Sequence, residues 1–146
     1  MQKVTPLGPR EGLIAIEPDN WRKESLILAT EKAGGTVCSA DEATALIWSA
    51  PENPELLPDF VKEQHDWVQL PFAGIEPFLS MLDEQRVWSC GKGVYASAVA
   101  EHALAMILSL KRGLVNYSMS ENWSKPFGSN LLGSRVLILG GGGIAE

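Results

Sequence analysis

The chain has 146 residues, 45% of them apolar and 21% charged, which suffices for a globular domain with a core and excludes a disordered or fibrous protein. Its formal charge is −6 with a pI near 4.9, and its Lys and Arg are scattered singly. Phosphate backbones demand clustered cations, so no nucleic-acid partner is expected, although a small anion can still be held locally.

Residues 1–12 carry prolines and charges where a secretory leader needs an apolar run. The most apolar segment, 99–110, contains Glu101 and His102, so no membrane partner is expected and the protein is expected to be soluble and cytoplasmic. Cys38 and Cys90 stand far apart, with no CxxC and no His at ligand spacing. Buried reduced thiols are expected, with no metal, and nothing near Cys90 supplies the base a catalytic thiol needs.

From Leu13 onward short apolar runs alternate with helix-like segments. Leu13-Ile14-Ala15-Ile16 predicts a strand, and 21–33 a helix that Asp19 or Asn20 starts and Gly34-Gly35 stops. Thr36-Val37-Cys38 and Ala45-Leu46-Ile47-Trp48 predict two more strands, and 54–64 a helix with Leu56, Leu57, Phe60 and Val61 at helical spacing. Trp67-Val68-Gln69-Leu70 predicts a fourth strand, 75–83 a helix, and Val87-Trp88 a fifth strand. This alternation predicts an α/β fold with a mainly parallel sheet covered on both faces, in the flavodoxin-like order 2-1-3-4-5.

Ligands of such sheets sit outside the carboxyl ends of the strands, which singles out the loops 49–53 and 71–74. In the second loop, Gly74 removes a side chain where a helix should open, leaving backbone N–H groups able to hold a carboxylate. The alternative is an ordinary strand-to-helix turn, with Gly74 serving only its dihedral angles.

Residues 97–112 form the strongest predicted helix, apolar round most of its circumference, which calls for burial against a second domain, a second subunit or both. Glu101 and His102 are helix neighbours and do not face each other, so His102, like His65, is read as structural. A polar linker follows over 113–130. The run Val136-Leu137-Ile138-Leu139 then predicts a buried parallel strand leading into four consecutive glycines.

A dinucleotide turn needs a first Gly for the tight turn, a second for approach to the pyrophosphate, and a third small residue for helix packing. Gly140, Gly142 and Ala145 fill those places, with Gly143 between them, and no GK[ST] follows to make a P-loop. Four consecutive glycines satisfy many patterns, so the weight of this turn lies in its neighbours.

Those neighbours are Gly93-Val94-Tyr95-Ala96-Ser97-Ala98-Val99-Ala100-Glu101-His102-Ala103-Leu104-Ala105 and Leu132-Gly133-Ser134-Arg135-Val136-Leu137-Ile138-Leu139-Gly140. In this order, with the turn, they resemble the D-isomer-specific 2-hydroxyacid dehydrogenase family. The resemblance is strong after Gly91 and mostly architectural before it. It implies a flavodoxin-like substrate lobe over 1–93, an interdomain helix and linker over 94–122 with the helix itself spanning about 94–119, and the start of an NAD(P)-binding Rossmann domain over 123–146, incomplete at the chain end. It implies that the N–H groups of Phe72, Ala73 and Gly74 bind the substrate carboxylate, while Pro77 departs from the polar residue often seen there. It implies NAD or NADP at Gly140, Gly142, Gly143 and Ala145, a small 2-oxo or 2-hydroxy acid as substrate, and a homodimer formed through the region 97–112.

The family's catalytic Arg, Glu and His have no counterparts in this sequence, so no catalytic residue is assigned, and the chain alone is expected to bind no cofactor and to be inactive. An unpaired strand over 136–139 would also expose apolar side chains, predicting poor solubility or an unnatural oligomer if the polypeptide stops at Glu146. Two alternatives remain open: a corepressor-like nucleotide-sensing protein on the same fold, and a stand-alone flavodoxin-like binding domain for which the glycine run is only a tail.

Overall fold

The computed structural model describes residues 12–123 and 125–146, so the reading of residues 1–11 as lacking a leader lies outside the described residues. The chain divides into two units, Met1–Lys92 and Gly93–Glu146.

The first unit is α/β. Its five strands are β1 (Leu13–Glu17), β2 (Thr36–Val37), β3 (Ala45–Trp48), β4 (Trp67–Gln69) and β5 (Val87–Ser89). All four pairings are parallel, and the order is β2-β1-β3-β4-β5, the one the alternating pattern predicts. The central register pairs Ala15 with Leu46 and Leu46 with Val68. Consecutive residues Ala15 and Ile16, and likewise Ala45 and Leu46, are buried. Their side chains point to opposite faces, so both faces of the sheet are covered and the strands can be apolar throughout. Trp48, Leu57, Leu70 and Phe78 complete the core.

The helices of this unit are shorter than the periodicity predicts. The first, α1, spans Lys23–Lys32. Asn20 Oδ1 accepts the Arg22 N–H at 2.8 Å, holding residues 20–22 as a turn ahead of the helix. The expected helix over 54–64 is reduced to a 3-10 turn, Pro54–Leu56, and one α-turn, α2 (Leu57–Phe60). Val61 is extended, and the backbone N–H of Lys62 turns to the His65 ring. The helix expected over 75–83 is a 3-10 segment, Glu76–Met81, with Pro77 in its first turn.

His65 stops the chain in this way because it is buried, with 1% of its surface exposed. Its Nδ1 accepts the Lys62 N–H at 3.1 Å and its Nε2 lies 3.0 Å from the Ala40 carbonyl. Together these contacts require the neutral ring with its proton on Nε2. Desolvation is the main influence and pushes its pKa below the ordinary 6.5; the Ala40 carbonyl pulls it up, and Arg86 and Lys62 push it down. The unfolded chain therefore takes up the proton more readily. Stability contributed by neutral His65 is complete above 6.5 and is lost as pH falls through that value toward the lowered one. Urea denaturation at pH 7.5 and 5.0 should show a lower midpoint at the acid pH, and His65→Gln should lose this part of the difference; an equal pH dependence in both proteins would contradict it.

The second unit holds α3 (Ala96–Arg112) and α4 (Leu114–Ser118). The single helix expected over 94–119 is broken at Gly113, which sits left-handed at φ 62. A side chain there would also press on the Phe127 ring. Tyr117 stacks on Phe127 at 4.5 Å between ring centroids, and its hydroxyl receives the Phe127 N–H at 2.7 Å and donates to the Phe127 carbonyl at 3.0 Å. No residue of α3 is buried.

The strand expected over 136–139 is not formed: those residues carry no ladder, and Val136, Leu137, Ile138 and Leu139 are exposed. A strand exists only by pairing, and residues 93–146 contain no other strand among the described residues.

Candidate functional site

Three loops meet the carboxyl ends of the central strands. The sheet order reverses between β1 and β3, the place where open parallel sheets leave a crevice. Here a polar cluster joins the two strand ends. Asn20 Nδ2 donates to Ser49 Oγ at 2.7 Å, and the buried Ser49 hydroxyl donates to the Pro18 carbonyl at 2.7 Å. Arg22 pairs with Glu52 at 2.6 Å, lowering the Glu52 pKa together with a hydrogen bond from its own backbone, the larger cause. Its guanidinium also lies 4.4 Å from the Trp21 ring centroid. The loop 49–53 is thus tied down by its own contacts and offers no free cation for an anion.

The loop after β4 is different. Leu70 is buried, whereas Phe72, Ala73 and Gly74 are exposed. The backbone N–H groups of Ala73 and Gly74 find no partner among the described residues. The loop is held from behind: the Gly91 N–H donates to the Phe72 carbonyl at 3.1 Å, and a Cβ on Gly91 would lie 2.8 Å from the Pro71 carbonyl oxygen. Only a glycine lets the chain leaving β5 pass this close to the loop leaving β4. Phe78 N–H closes the next turn on the Ile75 carbonyl at 2.8 Å.

Beneath this loop runs a neutral hydrogen-bond chain that sequence reading missed. Trp67 Nε1 donates to Ser89 Oγ at 2.6 Å, Ser89 Oγ donates to Gln69 Oε1 at 2.6 Å, and Gln69 Nε2 donates to the Leu70 carbonyl at 2.6 Å. It fastens the last residues of β4 and β5 without adding charge. A cavity of about 100 Å³ opens beside it, lined by Leu70, Ile75, Leu82, Trp88, Ser89 and Cys90.

The expected cofactor residues lie in the other unit. Gly140 has φ 106, and the Ala145 N–H donates to the Gly142 carbonyl at 2.7 Å, so 142–145 form a turn. Gly140, Gly142, Gly143 and Ala145 are exposed, and residues 136–139 ahead of them form no strand. His102 is exposed and His65 is structural, which leaves the site without a histidine general base among the described residues.

Cys38 and Cys90 are both free, and burial together with the nearby Glu42 raises the Cys38 pKa, making it a poor nucleophile. No cluster of metal-ligating side chains occurs among the described residues, and no described helix is long and apolar enough to cross a membrane. Comparison with protein-family models, with curated proteins and with solved structures yields no match.

Proposed function

We propose that this chain is part of an NAD(P)-dependent oxidoreductase acting on small D-2-hydroxy and 2-oxo acids, and that residues 12–92 form its substrate lobe, with Phe72, Ala73 and Gly74 receiving the substrate carboxylate. The observation that carries the reading is the loop after β4: the N–H groups of exposed Ala73 and Gly74 at the carboxyl edge of a five-stranded parallel sheet, backed by Gly91. The resemblance of 93–105 and 132–145 to the dehydrogenase family supplies the reaction class. Substrate binding is the role assigned to residues 12–92. Hydride transfer places charge on a carbonyl oxygen that an acid must quench as it forms, and that acid must come from elsewhere than His65 or His102. In the same reading, the exposed apolar face of α3 with Leu104, Ile107 and Leu108 is the surface on which a second copy packs.

Two charge-assisted hydrogen bonds from backbone N–H groups, at about 2 kcal/mol each, correspond to a dissociation constant of about 1 mM. Calorimetric titration with pyruvate or glyoxylate should therefore show millimolar binding, and NADH with either acid should show no turnover. Turnover by these residues alone would contradict the assignment of catalysis elsewhere, and no binding at tens of millimolar would contradict the substrate lobe.

A second reading is favoured by the missing strand over 136–139: residues 12–92 act as a stand-alone binding domain. Removing residues 131–146 would then leave acid binding and stability unchanged.

A further inference from the structure

Where β4 ends, its pairing with β5 changes step. The Val87 N–H donates to the Asp66 carbonyl at 2.8 Å and the Leu70 N–H to the Ser89 carbonyl at 2.7 Å, with Gln69 paired to Ser89 between them. Bonds in a parallel ladder are evenly spaced, so the next one due runs from the Gly91 N–H to the Leu70 carbonyl. It is not made. The Gly91 N–H donates instead to the Phe72 carbonyl at 3.1 Å, two residues further along. The chain leaving β4 thus bulges over Pro71 and Phe72, and Pro71 has no N–H to lose there.

The slip takes the Leu70 carbonyl's ladder partner away, and no backbone N–H among the described residues replaces it. Leu70 is buried, so its carbonyl needs a donor. Gln69 supplies one, its Nε2 donating to that carbonyl at 2.6 Å. The contact holds only while the amide faces the right way; turned over, Oε1 would meet the carbonyl, acceptor against acceptor. Ser89 prevents the turn. Its hydroxyl accepts the Trp67 Nε1–H at 2.6 Å and donates its own proton to Gln69 Oε1, also at 2.6 Å. Side chains of β4 and β5 therefore lock the bulge, and the loop that carries Ala73 and Gly74 starts from it.

We propose that Gln69, aimed by Ser89 and Trp67, is a positioning residue: it holds the bulge after β4, and with it the 72–74 loop, in the form that receives an acid. The proposal rests on the substrate reading above and adds the side chains that set the shape of that loop. In this role Gln69 acts through the Leu70 carbonyl and does not itself touch the acid.

The test compares the ¹⁵N-labelled chain with Gln69→Leu, Ser89→Ala and Ser89→Thr. Without ligand, amide hydrogen exchange at Gly91 is the direct readout, because its N–H carries the displaced bond, and exchange at Val68, buried at the centre of β4, is the reference for the sheet. Gln69→Leu and Ser89→Ala should speed exchange at Gly91 by at least about tenfold and leave Val68 unchanged; Ser89→Thr, which keeps the hydroxyl, should leave both as they are. In a pyruvate titration the first two should weaken binding by at least about tenfold, and Ser89→Thr by less than about twofold. Unchanged Gly91 exchange in Gln69→Leu and Ser89→Ala overturns the proposal, as does Ser89→Thr behaving like Ser89→Ala. Faster exchange at Gly91 and Val68 together also overturns it, since a side chain that only stabilises the sheet acts on both. So does fast Gly91 exchange in Ser89→Ala with pyruvate binding intact, because the bulge would then not set the loop. If the unaltered chain does not bind pyruvate, the carboxylate reading falls, and Gly91 exchange still decides whether Gln69 holds the bulge. The two Ser89 variants decide the matter if Gln69→Leu does not fold.

Discussion

Trp48→Ala is expected to destabilise the first unit by about 3–5 kcal/mol, the cost of removing a large core aromatic. Trp48 ends β3 with 1% of its surface exposed, and its ring centroid lies 5.6 Å from that of Phe60. Its Nε1 donates to the Ala50 carbonyl at 2.8 Å, so one side chain fills the core and fixes the start of the loop 49–53. The substitution leaves a cavity and removes one of the two hydrogen bonds that the Ala50 carbonyl accepts, the other coming from the Asn53 N–H at 3.1 Å, two penalties of different origin. Trp48→Phe separates them, because it keeps much of the ring volume and loses the hydrogen bond, at about 0.5–1.5 kcal/mol. Chemical denaturation monitored by far-UV circular dichroism measures both. A loss under 1 kcal/mol for Trp48→Ala would mean that β3 is not the centre of the core.

Gly91→Ala is expected to cost about 1–3 kcal/mol by overpacking, and also to displace the 72–74 loop. The added methyl would sit 2.8 Å from the Pro71 carbonyl oxygen and 3.5 Å from the Phe72 Cα, both backbone atoms that no rotamer change can move aside. Either β5 shifts away from β4 or the loop shifts outward, and both break the Gly91 N–H bond to Phe72. Acid binding should weaken by at least about tenfold even at temperatures where the variant is folded, a factor worth 1.4 kcal/mol. Gly74→Ala is the control: its methyl would meet only the far end of the Glu76 side chain, at 3.0 Å, which can swing away. Equal binding by Gly91→Ala and the unaltered chain would show that the approach of β5 does not position the loop.

The architecture of the first unit was legible because each of its strands is a short apolar run, and their parallel order follows from the segments between them. The lengths of those segments were not. Helical spacing at Leu56, Leu57, Phe60 and Val61 reports which residues face the core, and it is satisfied equally by a 3-10 turn and one α-turn ending at Val61. What cuts the helix short is the Lys62 N–H bond to buried His65, a contact invisible to periodicity.

The loop 71–74 was found from Gly74, yet the glycine that shapes it is Gly91, about one strand-turn-strand unit away, and its role depends on the β4–β5 pairing. The Trp67, Ser89 and Gln69 chain was missed for the same reason, since it joins side chains from two strands. Over 136–139 the pattern reads as a strand because apolar residues record a tendency to be buried, whereas a strand needs a neighbour to pair with.

The central claim is that backbone N–H groups of the loop after β4 hold a small carboxylate. The most direct measurement is a titration of the ¹⁵N-labelled chain with pyruvate and, in parallel, with methyl pyruvate, which has the same carbon frame without the charge. The account predicts that pyruvate shifts the Ala73 and Gly74 amide resonances saturably in the millimolar range while the ester leaves them in place. Amides at 73 and 74 that stay fixed, or that move equally with the ester, would contradict it.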